Sequence, residues 1–303
     1  MKELENMNLI TVFTPTYNRG NIIKRLYCSL KKQTCKDFVW LVVDDGSTDS
    51  TEELIKKWQL ENEIKIEYLK QDNLGKSMAH NKAVEMTTTE IFMCLDSNDV
   101  ITPNAIEMVL KCWEKVKLNE NIVGIMSQKK VQFKDIKREM KVKQLPGYIK
   151  IKHDKKPGGK AFNDRYYIEK EKAYDGYVET TLGEAYRKFG LKGEAMLVFR
   201  TTEVKKYQFP KIQKEKFVPE AYLYNLIDRD GKLVVLNRTL CVHRYQMDGY
   251  TFNMSKLIKN NPKGYLLYVN QKINSDYTFR SLFFDYIRYI SVAGIAGEQP
   301  SFM

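Results

Sequence analysis

The residues able to do chemistry in this 303-residue chain sit in short polar clusters along its first third, with a few more after residue 190. Asp96-Ser-Asn-Asp99 brings two carboxylates and an amide within four positions. Such hard oxygen donors suit Mg2+ or Mn2+; they equally suit an Asx-rich turn with a helix cap ahead of Pro103. Asp44 and Asp45 form a second carboxylate pair, which accepts hydrogen bonds and donates none. Thr14-Pro-Thr-Tyr-Asn-Arg19 supplies a ring that can stack, at Tyr17. Its Arg19 is either a phosphate partner or a solvated charge at a helix start. Gly75-Lys76 joins a turn residue to an ammonium. Glu220, after Lys216-Phe-Val-Pro219, opens a helix, and its carboxylate is either an acid–base group or favourable charge in a first turn.

The elements that must position these groups are readable from apolar periodicity. Leu9–Phe13 alternates and is β-branched, so it reads as a strand ending at Thr14-Pro15. Asn21–Lys32 reads as a helix with Ile22, Ile23, Leu26 and Leu30 at helical spacing. Phe38–Val43 is a continuous apolar run, as expected of a buried parallel strand. A capping box of Asp49 and Glu52 starts the next helix. Strands follow at Ile64–Leu69, Ile91–Leu95 and Val123–Ser127, with helices at Ser77–Met86 and Ala105–Val116. The order over the first ~125 residues is βαβαβαβα, which implies a mostly parallel sheet with helices on both faces. Three polar clusters then fall at the carboxyl ends of strands, where open parallel sheets bind ligands.

Beyond that point the pattern thins. Phe133–Lys172, with His153-Asp-Lys-Lys-Pro-Gly-Gly-Lys160, reads as a basic loop and lacks the full P-loop pattern. Ala195–Arg200 and Leu233–Leu236 read as strands. From about Ser255 a separate helical region begins, in which Leu282, Phe283, Tyr286, Ile287 and Ile290 make one wide apolar face. That face either packs on the main body or lies on a membrane surface.

Composition narrows the function classes. Hydrophobic residues are 43% and charged residues 29%, a soluble globular balance. The longest apolar run, Phe38–Val43, is far short of a membrane span, and the polar start MKELENMN has no signal-peptide core. The expected location is therefore cytoplasmic. Five cysteines show no CxxC pair; Cys28, Cys94 and Cys112 fall on apolar faces and read as core. His80 and His153 form no cluster with metal-ligand spacing. No GxSxG elbow is present, and no GxGxxG follows the first strand. Lys plus Arg number 50 against 38 acids, a net charge of +12. That charge is compatible with a plain solvated surface, an anionic membrane or an anionic substrate; no nucleic-acid-binding pattern accompanies it.

Thr14-Pro-Thr-Tyr-Asn-Arg19, Val42-Val-Asp-Asp-Gly-Ser-Thr-Asp49, Asn73-Leu-Gly-Lys76 with Ala79 and Asn81, and Leu95-Asp-Ser-Asn-Asp99 together resemble family 2 glycosyltransferases, which have the GT-A fold. The likeness covers the first ~110 residues. It implies an α/β GT-A domain: a nucleotide-sugar-binding half over residues 1–125, an acceptor-binding half over 126–250, and a helical extension over 251–303. It also implies an inverting, metal-dependent transfer from a nucleotide-diphosphate sugar, with UDP the expected nucleotide, to a glycan or lipid-linked acceptor of a surface polysaccharide. A protein with such an acceptor would act peripherally at the inner face of the cell membrane.

By the same resemblance, Thr14, Pro15 and Tyr17 would line the base pocket, and Asp44 or Asp45 would accept a hydrogen bond from the base. Arg19, Gly75 and Lys76 would approach ribose or diphosphate. Asp96, Ser97, Asn98 and Asp99 would serve donor and metal, Mn2+ or Mg2+. Asn98 departs from the family's usual acid at that position and brings no charge to a metal. Glu220 resembles the family's base in a PE form, since no ED dipeptide occurs in this half; Glu194 is the second candidate. His243 is either a third metal ligand or an interior histidine, and Tyr245, Asp248 and Gly249 suit the acceptor side. Two rivals remain: a degenerate nucleotide-binding partner of a glycan-assembly complex, and a sugar-nucleotide nucleotidyltransferase. The second would need a glycine-rich basic segment after strand one, which Thr14–Arg19 lacks.

Overall fold

The computed structural model describes residues 9–131, 173–174, 177–187, 194–274 and 279–299. The basic segment 133–172, with His153 and Lys160, lies outside the described residues. Strands β1 (Ile10–Thr16), β2 (Phe38–Asp44), β3 (Lys65–Lys70) and β4 (Ile91–Cys94) are parallel, in the order β3-β2-β1-β4. Helices α1 (Gly20–Lys31), α2 (Thr51–Glu61) and α3 (Lys76–Met86) connect them, and α4 (Ala105–Val116) follows.

β2 reads as an unbroken apolar run because both its faces are covered. Trp40 and Val42 face a core with Leu26, Ile55 and Trp113, while Leu41 and Val43 face a second core with Ala79, Phe92 and Leu223. β1 does not stop at Thr14-Pro15 but continues to Thr16. Pro15 is tolerated because its missing N–H would point toward β4, and pairing on that side has already ended at Phe13 with Cys94. On the β2 side pairing continues, and the Asp45 amide donates to the Thr16 carbonyl over 2.8 Å.

The sheet then changes direction. β9 (Ala195–Arg200) lies antiparallel between β4 and β6 (Ile122–Val131), and β10 (Lys232–His243) runs parallel to β6. β7 (Ala173–Tyr174) and β8 (Tyr177–Thr180) extend the far edge. β10 is much longer than Leu233–Leu236, and it slips register against β6 near Thr239. Its last residues pair antiparallel with β5 (Asp99–Ile101), a strand too short to announce itself by periodicity. Short helices α5 (Leu182–Arg187) and α6 (Thr201–Val204) flank the sheet, and α7 (Glu220–Ile227) starts from Pro219.

Three local expectations change. Asp49 and Glu52 form no capping box. The Asp49 carboxylate instead accepts from the Thr51 amide and from Gly20 N at 3.0 Å each, and Glu52 faces Lys56 and Lys70. Cys28 is exposed, not core, one step round α1 from buried Tyr27; Cys94 is half-buried. In the C-terminal region, α8 (Met254–Asn260) precedes α9 (Pro262–Ile273), which packs on α10 (Phe279–Ala296) through Leu266, Val269, Tyr289, Val292 and Ala293. The packed stripe is therefore not the Phe283–Ile287–Ile290 face. Those residues are about half exposed, because the apolar arc of α10 is wider than the strip α9 covers and periodicity alone did not say which part of it is buried. Among the described residues no helix is long and apolar enough to cross a membrane.

His80 of α3 is buried among the rings of Phe13, Phe92 and Phe209, and its Nδ1 has no partner. Burial, helped by nearby Lys76, pushes its pKa down to about 3. The folded imidazole stays neutral while the unfolded one protonates below its ordinary 6.5, so its contribution to stability is present above pH 6.5 and is lost as pH falls toward 3. Between pH 6 and 4 the chain should lose about 1.4 kcal/mol per pH unit more than a His80→Leu variant, read by urea denaturation. Parallel pH profiles for the two would refute this.

Candidate active site

The polar clusters meet along the carboxyl edge of β1, β2 and β4. Two loops there are stitched together by Asn18, whose φ of 51° is the left-handed conformation asparagine tolerates. Its amide donates to Ser47 Oγ at 2.8 Å, and its Oδ1 accepts from the amides of Thr48 at 2.8 Å and Asp49 at 3.3 Å. Tyr17, next to it, leaves its ring 46% exposed and free to receive a flat ligand. Thr14 turns inward instead, where its hydroxyl accepts from the Trp40 indole at 3.0 Å, and Pro15 is buried behind Tyr17. Arg19 pairs with Asp248, which draws the 244–253 loop over this edge.

Asp44 and Asp45 do different work. Asp44 is fully buried; it accepts from Ser47 N and from the Tyr68 hydroxyl, each at 2.8 Å. Asp45 organises the next loop, accepting from Gln71 Nε2, Leu74 N and Gly75 N, all at 2.8 Å. That grip sets the turn at Gly75, whose φ is +95°, and the turn launches α3 with Lys76 as its first residue.

The Lys76 ammonium donates to Asp96 Oδ1 at 2.5 Å and lies 2.9 Å from Glu220 Oε1. Burial would lower its pKa, but Asp96 and Glu220 outweigh burial and hold it well above the usual lysine range. Burial would likewise raise Asp96, yet Lys76, Lys129 and His243 hold its carboxyl well below the usual range. Both groups are therefore charged at neutral pH. Glu220 reaches the cluster because Pro219 ends the preceding loop and α7 starts there, leaving the side chain in the first turn.

The β5–β10 pairing sets His243 opposite Asp99. His243 Nδ1 lies 2.7 Å from Asp99 Oδ1, and Lys129 Nζ of β6 lies 2.9 Å from Asp99 Oδ2. Lys129 also faces Glu194 Oε2 at 3.4 Å. Burial opposes charge on His243, but the Asp99 hydrogen bond and Glu194 raise its pKa above 6.5. Asn98 donates through Nδ2 to the Arg244 carbonyl at 2.6 Å. Ser97 is buried within the same turn.

One ligand atom each from Asp96, Asp99 and His243 falls within 4.8 Å of the others, and the same holds for Cys94 Sγ with a carboxylate oxygen each of Asp96 and Glu220. The first set, two carboxylates and an imidazole, fits Mg2+ or Mn2+ in ligand type. The second fits less well, since burial pushes the Cys94 thiol up and keeps it protonated. Among the sequence-derived candidates, Lys76, Asp96, Asn98, Asp99, Glu220 and His243 thus converge, and Glu194 joins them through Lys129. The structure adds residues that sequence reasoning passed over. Lys129 gave no signal, being one of many lysines. Tyr250, edge-on to Phe217 at 5.4 Å, feels the charges of Lys76, Asp45, Glu220 and Asp96. Tyr224, whose position one turn after Glu220 was a usable clue, is pushed up by burial and by Glu220.

The family model described as glycosyl transferase family 2 matches residues 11–170. A chondroitin synthase of Pasteurella multocida is 33% identical over 108 residues, covering 36% of this chain and 11% of that protein. The chain thus spans a small part of that relative's length. Among solved structures, S. aureus TarS 1–349 in complex with UDP-GlcNAc gives a TM-score of 0.59 at 16% identity, covering 93% of this chain and 72% of that one. The mannosyltransferase PcManGT of Pyrobaculum calidifontis, in complex with GDP-Man and Mn2+, gives 0.55 at 14% identity, covering 95% and 74%. Likeness at this level is a likeness of fold, and the fold is GT-A.

The Asp45 carboxylate has an immediate test. Asp45→Asn sets an amide N–H against a backbone donor of the Gly75 turn, which should cost about 1–3 kcal/mol in urea denaturation. Unchanged stability would mean that the turn holds without this carboxylate.

Proposed function

The chain belongs to glycosyl transferase family 2, and from that premise we propose that it moves a sugar from a nucleotide-diphosphate donor, a UDP-sugar, onto an acceptor hydroxyl with inversion. The observation that carries the reading is the bridge of Lys76 between Asp96 and Glu220. It places a permanent cation between the donor edge and a carboxylate at a helix start. The donor complexes of TarS and PcManGT support a nucleotide-sugar ligand for this edge.

In this reading Tyr17 stacks on the base, and Asp45, rather than the fully buried Asp44, accepts from its N–H. Arg19 exchanges Asp248 for the diphosphate. Breaking the anomeric C–O bond leaves negative charge on the departing diphosphate, which the Lys76 ammonium stabilises. The acceptor hydroxyl attacks the anomeric carbon in line, and Glu220 takes its proton as general base. A divalent cation held by Asp96, Asp99 and His243, with Asn98 as a neutral neighbour, would add Lewis-acid stabilisation of the diphosphate when bound.

The acceptor in this reading is a glycan or a lipid-linked sugar of a surface polysaccharide. Chondroitin synthase as a relative, the net charge of +12 and the exposed Phe283, Phe284, Ile287 and Ile290 support work beside an anionic membrane.

Two measurements test this. A thermal-shift panel of nucleoside diphosphates with and without Mn2+ should show stabilisation by UDP that Mn2+ enhances. Glu220→Gln should keep UDP affinity and lose about 10²–10⁴-fold in kcat. No shift with any nucleotide would overturn the transferase reading; tight UDP binding with no turnover of any donor would favour a non-catalytic partner subunit. For the membrane, the chain should float with phosphatidylglycerol vesicles at 0.15 M salt and not with neutral ones. Failure to float removes that part of the reading.

A further inference from the structure

The backbone of residues 215–218, which leads into Glu220, is gripped from two sides. On one side lies Gly75: a Cβ there would sit 1.9 Å from the Lys216 carbonyl oxygen. On the other lies Gly264 of α9, where a Cβ would sit 2.1 Å from the Phe217 carbonyl oxygen. Real Cβ atoms essentially never come within 3.0 Å of a neighbour, so both positions exclude any side chain unless the segment moves. The inner side is further tied by Ser77 Oγ, 3.2 Å from Val218 O and 3.3 Å from Val218 N.

The outer side is tied by α8 and α9. Asn261, between these helices and 6% exposed, accepts the Lys216 amide on Oδ1 at 2.7 Å and donates from Nδ2 to the Leu257 carbonyl at 2.8 Å. Glu215 accepts from the amides of Lys263 at 3.0 Å and Gly264 at 2.8 Å, satisfying the first turn of α9. Further on, Gln271 Nε2 donates to the Tyr222 carbonyl at 2.9 Å, and Asn225 Nδ2 donates to Gln271 Oε1 at 3.0 Å. Helix α7, which carries Glu220, is thus held along its length by α9.

We propose that the C-terminal helices position Glu220 against Lys76, with Asn261 and Gly264 as the positioning residues. The extension is then a working part of the transfer site although it supplies no reacting group. Its catalytic meaning rests on the reading of Glu220 as the base. The steric logic is general: a reacting carboxylate displaced by about 1 Å can lose roughly a hundredfold in rate.

The test uses the full chain with Asn261→Ala, Asn261→Asp and Gly264→Ala. Amide hydrogen exchange over 214–224 should speed up at least tenfold in Asn261→Ala and Gly264→Ala, while exchange in β1, β2 and β4 and the Kd for UDP stay within twofold. Asn261→Asp, which keeps the acceptor for Lys216 N but loses the donor to the Leu257 carbonyl, should show slower exchange at 216–218 than Asn261→Ala. On any sugar nucleotide the wild type turns over, kcat should fall at least tenfold in Asn261→Ala and Gly264→Ala with donor KM unchanged. Unchanged exchange over 214–224 in both variants would overturn the proposal. So would faster exchange spread evenly over the sheet with UDP affinity lost, since that is general destabilisation. Should Glu220→Gln keep full kcat, the base assignment falls while local exchange still decides the clamp.

Discussion

A lysine ammonium shut between two carboxylates organises this molecule's working edge. Lys76 keeps only a fifth of its side chain in solvent, so removing it would leave Asp96 and Glu220 facing each other without the cation between them. The three groups come from unrelated parts of the chain: the end of β4, the start of α3 and the start of α7. Each depends on a local device: Leu95 hydrogen-bonded to Phe13 beside β1, the Asp45-held turn at Gly75, and the proline that starts α7. The ion bridge therefore ties the carboxyl edge of β1, β2 and β4 to the half of the chain that carries Glu220.

A second charged group continues the pattern. Asp99, fully buried, faces both His243 and Lys129, and Lys129 in turn faces Glu194. With Lys76 and Lys129 against Asp96, Asp99, Glu194 and Glu220, the acids outnumber the fixed cations. That surplus suits a site that receives added positive charge, and an asparagine at position 98 keeps the surplus smaller than a third acid in that turn would make it.

Much of this was legible in the sequence, for physical reasons. β2 is apolar throughout because it is covered on both faces, and α4 and β9 have the bounds their periodicity indicates. The polar clusters stand at strand ends because parallel strands align those ends on one edge. What escaped the sequence is long-range. β5 exists only because β10 reaches it 140-odd residues later, and Lys129 became notable only once β6 lay beside β10. Pro15 could continue a strand because one neighbour stops short, which no local rule records. The stripe that α10 buries depended on where α9 lies, and an apolar arc wider than that stripe does not say.

The Arg19–Asp248 pair adds a property of its own. Asp248 is a tethered anion, so it competes for Arg19 at an effective concentration that dilution does not change. Any phosphate arriving at that guanidinium displaces an internal rival rather than filling open water. Added salt screens the rival and the incoming phosphate alike. Ligand affinity at this edge would then depend less on ionic strength than the phosphate charge alone suggests, and the 244–253 loop, still held by Asn98 at Arg244 and by Tyr250 against Phe217, would lose one of its ties.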